Sequence, residues 1–76
     1  MLNIQDVLEQ ICEDSYRYKF LLDNGVEVTG YILNFNQDEI VYRITHQSKE
    51  RLYLYTDRII SIEHNNKAYG GVVWEL

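Results

Sequence analysis

Seventy-six residues carry a formal charge of −5, one cysteine and no proline. They make one small domain, and one this short buries only about 60–65 % of its unfolded surface, so its core needs a supplement. A lone cysteine closes no intrachain disulfide and no cysteine–histidine cluster supplies a structural metal, which leaves oligomerisation; the acidic balance disfavours non-specific phosphate binding, which relies on lysine and arginine.

Met1–Asp6 has neither a cationic start nor a long apolar run, so neither a signal peptide nor a membrane span is expected, and a cytoplasmic location follows. Asp6, Glu9, Glu13 and Asp14 place −4 of the charge in residues 1–14, where no lysine or arginine offsets them. Ile4, Val7, Leu8 and Ile11, with Cys12 beside them, have the spacing of one helical face. The spacing predicts a helix over about 3–14, with Asn3 as N-cap and Asp6 at the positive end of the dipole. Glu13 and Asp14 oppose the dipole at the other end and stop it. So short a helix depends on docking its apolar stripe, and its acidic polar face argues against membrane surface binding.

From Tyr16 the period becomes two. Tyr16, Tyr18, Phe20 and Leu22 alternate with Arg17, Lys19 and Leu21, which predicts a strand. Asp23-Asn24-Gly25 is a hairpin turn. A long strand follows over about 26–36, with Val28 and Ile32 on one side and Tyr31, Leu33 and Phe35 on the other. Gly30 marks a bend or close approach that lets this strand serve both halves of a barrel. Asn36-Gln37-Asp38 is a polar turn before a third strand over 39–46, in which Ile40, Tyr42 and Ile44 alternate with Val41, Arg43 and Thr45. Gln47–Glu50 is a charged loop. Two short strands, 52–55 and 59–62, flank a tight connection over Thr56-Asp57-Arg58. Asn65-Asn66-Lys67 and Gly70-Gly71 punctuate a tail over 64–76, whose Val72-Val73-Trp74 adds a short strand or packs on a neighbour.

The strands at 52–55 and 59–62 are apolar on both faces, where a small barrel normally turns one face to solvent. Unblunted edges of this kind pair with another chain, unless the helix or the tail covers them. Of the seven tyrosines, Tyr16, Tyr18, Tyr42, Tyr53 and Tyr55 read as strand residues and not as a stacking surface for bases; Tyr31 and Tyr69 have no clear place. Cys12 reads as an inert core residue, and His46 and His64 as surface residues. No Ser-His-Asp set, phosphate loop or carboxylate pair is present, so neither an enzyme nor a cofactor or metal site is expected.

The order and spacing of these elements resemble the Sm and Sm-like (LSm, Hfq-like) family. The first family motif is similar to Leu22-x-x-Gly25-x-x-Val28-x-Gly30-x-Ile32-x-x-Phe35-Asn36 followed by Ile40-Val41. The second is similar to Leu52–Ile62, whose Ile60-Ser61-Ile62 has the Hfq form. The resemblance covers about residues 16–63. It implies a helix followed by a strongly bent, five-stranded, SH3-like open barrel, assembled into a homo-oligomeric ring of about five to seven subunits. In such a ring Leu52, Tyr53, Leu54 and Tyr55 pair with Ile59, Ile60, Ser61 and Ile62 of the next subunit.

The resemblance also implies single-stranded RNA as a partner around the pore, with Asn36, Asp38, Tyr55, Thr56, Asp57 and Arg58 as candidate contacts. At these positions the chain departs from the family. Asp38 falls where an aromatic often stacks on a base, and Ile40 where eukaryotic Sm proteins read a base with asparagine. Thr56 and Asp57 replace the lysine and histidine of Hfq, and on the other face Leu21 and Glu27 replace its tyrosine and lysine. Two functions follow. An Hfq-like RNA-binding ring predicts that Arg17, Lys19, Arg43 and Arg58 gather on one surface despite the net charge. A structural or adaptor ring for protein partners, which has lost the family's RNA site, predicts dispersed basic residues, an acidic helix face and an exposed apolar tail around Trp74.

Overall fold

The computed structural model describes residues 3–65 and 71–76. The turn signals at Asn66, Lys67 and Gly70, together with Met1, Leu2 and Tyr69, lie outside the described residues. Helix α1 (Ile4–Ile11) opens the chain. Asn3 caps it, its Oδ1 accepting from Asp6 N–H at 3.0 Å, and this satisfies one of the donors that a helix start leaves unpaired. Helical structure ends at Ile11, short of the two acidic residues that would meet the negative end of the dipole. Val7, Leu8 and Ile11 are buried, so the apolar stripe is the docking face.

Strands β1 (Tyr18–Leu22), β2 (Glu27–Phe35), β3 (Glu39–Arg43), β4 (Leu52–Tyr55), β5 (Ile59–His64) and β6 (Val72–Glu75) follow, with a short 3-10 turn over Thr56–Arg58 between β4 and β5. They form one open antiparallel sheet in the order β4-β3-β2-β1-β5-β6. The expected count of five is therefore corrected to six. The tail supplies the extra strand, pairing Ser61 with Glu75, Ile62 with Trp74 and Glu63 with Val72.

β2 serves two ladders. Its first half pairs with β1 as far as Tyr18 opposite Gly30, and its second half pairs with β3 from Tyr31 opposite Arg43 onward. Gly30 stands at the changeover, where a Cβ would lie 2.6 Å from the Arg43 carbonyl oxygen and 2.8 Å from Tyr42 Cδ2. Only a residue without a side chain allows β3 to approach so closely. Beyond it the β2–β3 register shifts between Ile32 and Asn34. The extra residue changes the alternation, so Phe35 packs against the core along with Ile32, where simple alternation had put them on opposite sides. β1 begins at Tyr18 and not Tyr16, and β3 ends at Arg43. Past Arg43, Thr45 and Ser48 bond each other reciprocally, Thr45 N–H to Ser48 Oγ at 3.2 Å and Ser48 N–H to Thr45 Oγ1 at 3.1 Å. Local bonds of this kind compete with a ladder and end the strand.

The core lies between α1 and the inner face of the sheet: Leu8, Tyr18, Phe20, Ile40 and Ile62 are fully buried. Tyr18 completes its burial by donating its hydroxyl to Asp14 Oδ2 at 2.9 Å. No helix among the described residues is long and apolar enough to cross a membrane.

Candidate functional site

Three connections meet at one end of the sheet: the β1–β2 hairpin, the 36–38 turn and the 56–58 turn. Asn36 Oδ1 accepts from the N–H groups of Asp38 and Glu39 at 2.8 and 2.9 Å, so the side chain builds its own turn. Thr56 is buried. Its N–H donates to the Asp38 carbonyl at 2.9 Å and its hydroxyl to the Gln37 carbonyl at 3.0 Å. Gln5 Nε2 reaches the same Gln37 carbonyl at 3.1 Å, tying α1 to this end. Asn36, Asp38 and Thr56 are thus brought together, but as a hydrogen-bonded loop scaffold.

Arg58 faces elsewhere. Its Nε donates to Asp23 Oδ1 at 3.0 Å, while Asp23 N–H donates to the Arg58 carbonyl at 2.8 Å. The partner of Arg58 is therefore the hairpin aspartate and not the neighbouring Asp57. Both side chains are about half exposed, so the pair contributes about 0–1 kcal/mol and mainly orients the guanidinium. Asp38 and Asp57 remain exposed. Tyr55 is 63 % exposed and points away from the core, as does Tyr53.

A cavity of about 410 Å³ opens beside this cluster, lined in part by Ile4, Asp57, Ile59, Trp74, Glu75 and Leu76. Its walls are apolar and its charged lining residues are both carboxylates. Such a site rejects phosphate and suits an apolar or cationic group. Trp74 and Val73 pack against the core, so the tail is not the free apolar arm expected of an adaptor, although Val72 and Leu76 stay exposed.

The basic residues divide. Lys19, Thr29, Tyr31 and Arg43 occupy the outer face of adjacent strands, with Lys19 opposite Thr29 and Tyr31 opposite Arg43. Arg17, just ahead of β1, donates from Nη2 to Thr29 Oγ1 at 3.0 Å. Lys19 pairs with Glu63 at 3.4 Å. Three of the four cations therefore gather on the sheet's outer face, while Arg58 sits at the loop end. His46 stacks on Tyr31, ring centroids 3.8 Å apart, a contact that residue spacing does not reveal. His46 is exposed, as expected of a surface residue, whereas His64 is half-buried. It lies opposite Tyr18 in β5, 5.0 Å from that ring and 6.0 Å from Tyr16, with Nδ1 buried and unbonded.

Cys12 is half-buried beside the helix end. Burial first, and then the charge of Glu13, push its thiol pKa up and keep it protonated, which suppresses reactivity. Among the described residues no group of three or more histidine, cysteine or acidic side chains is placed to hold a metal ion. No protein-family model matches the sequence, and a search of curated proteins finds no match.

Proposed function

We propose that this chain is the subunit of an Sm-like ring that serves as a scaffold for protein partners, its pore-side RNA contacts replaced. Three features support the Sm-like part: the two sequence motifs, the long β2 shared between two ladders, and the 3-10 turn joining β4 to β5. Two expectations of a scaffold ring are not met, since three basic residues gather on the outer face and the tail packs on the core. The observation that carries the functional part against them is the chemistry of the loop end. Arg58 is held by Asp23, Asn36 and Thr56 are consumed by their turns, and Asp38 and Asp57 face solvent. Repeated around a ring, that end is an acidic rim, which repels the phosphate backbone. The neighbouring cavity, with its Trp74 wall and two carboxylates, suits an apolar or basic side chain of a partner protein.

A second reading, single-stranded RNA, is favoured by one specific feature: the outer-face row of Arg17, Tyr31 and Arg43. Cations interleaved with an aromatic are what single-stranded nucleic acid engages. His46 already covers one side of Tyr31, however, and Lys19 is engaged by Glu63.

The test is a binding titration of the assembled protein with short uridine-rich and adenosine-rich RNAs at low and near-physiological salt. The scaffold reading expects no saturable binding at physiological salt. Micromolar or tighter binding that survives physiological salt would overturn it. Loss of that binding in Arg17→Glu/Arg43→Glu would then place the RNA on the outer face, and loss in Arg58→Glu would place it at the loops.

A further inference from the structure

The ring pairing implied by resemblance brings β4 of one subunit onto β5 of the next. Here that edge of β5 is taken by the chain's own tail. β6 pairs along it from Ser61 to Glu63, Leu76 N–H donates to the Ile60 carbonyl at 2.9 Å and His64 N–H to the Gly71 carbonyl at 3.1 Å. Among the described residues, the edges left open are β4 and β6, at opposite ends of the sheet.

Their backbone groups can be assigned. Thr56 N–H donates to the Asp38 carbonyl, and Leu54 and Tyr53 stand opposite Ile40 and Val41. The alternation of an antiparallel ladder then turns the main-chain groups of Leu54 toward β3 and those of Tyr53 and Tyr55 outward. In β6, the bond from Leu76 to Ile60 sets the phase at its C-terminal end, where the groups of Glu75, opposite Ser61, turn outward; the register shift between Ile62 and Glu63 then leaves Val73 without a partner in β5. Each open strand is four residues long. Neither contains a proline or a mid-strand charge that would blunt it.

We infer that copies of this chain join by antiparallel pairing of β4 in one copy with β6 in the next, so that the tail, and not β5, carries the subunit contact. The inference rests on the ring reading above. The two edges differ, so the contact is head-to-tail, the kind that closes rings. Charge selects the partner and the register. Setting Tyr53 against Val73 sets Arg51 directly against Glu75. Both are exposed, and among the described residues Arg51 reaches the carbonyls of Ser48 and Lys49, each at 3.2 Å.

Full-length variants test this by light scattering and sedimentation at micromolar concentration. Arg51→Glu and Glu75→Arg each weaken assembly by roughly 3- to 10-fold, the range of an exposed ion pair turned repulsive, and the double reversal restores it. In a Cys12→Ala background, Arg51→Cys/Glu75→Cys gives a ladder of disulfide-linked oligomers under mild oxidation, because within one copy the two positions lie on strands at opposite ends of the sheet order. An assembled wild type that is indifferent to the charge reversals and forms no such ladder overturns the β4–β6 contact and leaves the ring reading standing. A stable wild-type monomer overturns both.

Discussion

A methyl group at Gly30 would press on the Arg43 carbonyl at 2.6 Å and the Tyr42 ring at 2.8 Å. The first of these is backbone and cannot swing aside, so β3 must move. Gly30→Ala is expected to cost about 1–3 kcal/mol, the range for forcing atoms into filled space, read as a lower urea midpoint at unchanged slope. Tyr18 sets a different limit. Burial first, and then its bond to Asp14, push its hydroxyl pKa well above the ordinary value, and burial raises Tyr42 as well. A raised pKa means that the folded state holds the proton more tightly. The stabilisation is therefore complete below about pH 10, where the unfolded chain begins to ionise, and is lost as pH rises beyond it. Stability should fall steeply above about pH 10, and Tyr18→Phe should flatten that fall while lowering stability at neutral pH through loss of the Asp14 bond.

At the scale of elements, α1 has only eight residues, too few to persist alone, so its cap and its docking face share the work. Asn3→Ala should destabilise the protein by about 1 kcal/mol, as cap removal does. A thermal scan would show it as a loss of roughly 4–8 °C. The helix was legible because Ile4, Val7, Leu8 and Ile11 repeat at helical spacing after a capping residue. β1, β2 and the hairpin were legible from alternation and from Asn24-Gly25, and Gly30 from its place in a long strand. Three things were not legible. The bulge that turns Phe35 inward leaves no local signal, since an apolar residue fits either face of β2. The Thr45–Ser48 bonds that end β3 compete with a strand pattern that reads on to His46. The pairing of β6 with β5 depends on contacts between segments whose sequences fix only that each is apolar. The candidate site divides the same way. Turn residues at 36–38 and 56–58 were legible as turns, but the Arg58–Asp23 pair crosses 35 positions and had no signature in spacing.

At the scale of the molecule, a chain of 76 residues without a disulfide has little core to spare, and assembly is the supplement that the fold leaves open. Association stabilises only the folded subunit, so it makes the melting temperature depend on protein concentration. For a ring whose subunits fold and assemble together, each tenfold rise in concentration contributes roughly 1 kcal/mol per subunit, or about 4–8 °C in a domain of this size. Tyr53→Pro separates the two sources of stability. Its N–H faces outward from β4 and its side chain is 63 % exposed, so proline there removes an edge donor while sparing the β3 ladder. Leu54→Pro would instead break the pairing with Ile40 and damage the subunit itself. The expected outcome is a wild-type melting temperature that climbs with concentration and a Tyr53→Pro value that stays flat, the two meeting at the lowest concentrations. Equal concentration independence in both proteins would mean that the subunit's own core, closed by its own tail, is sufficient.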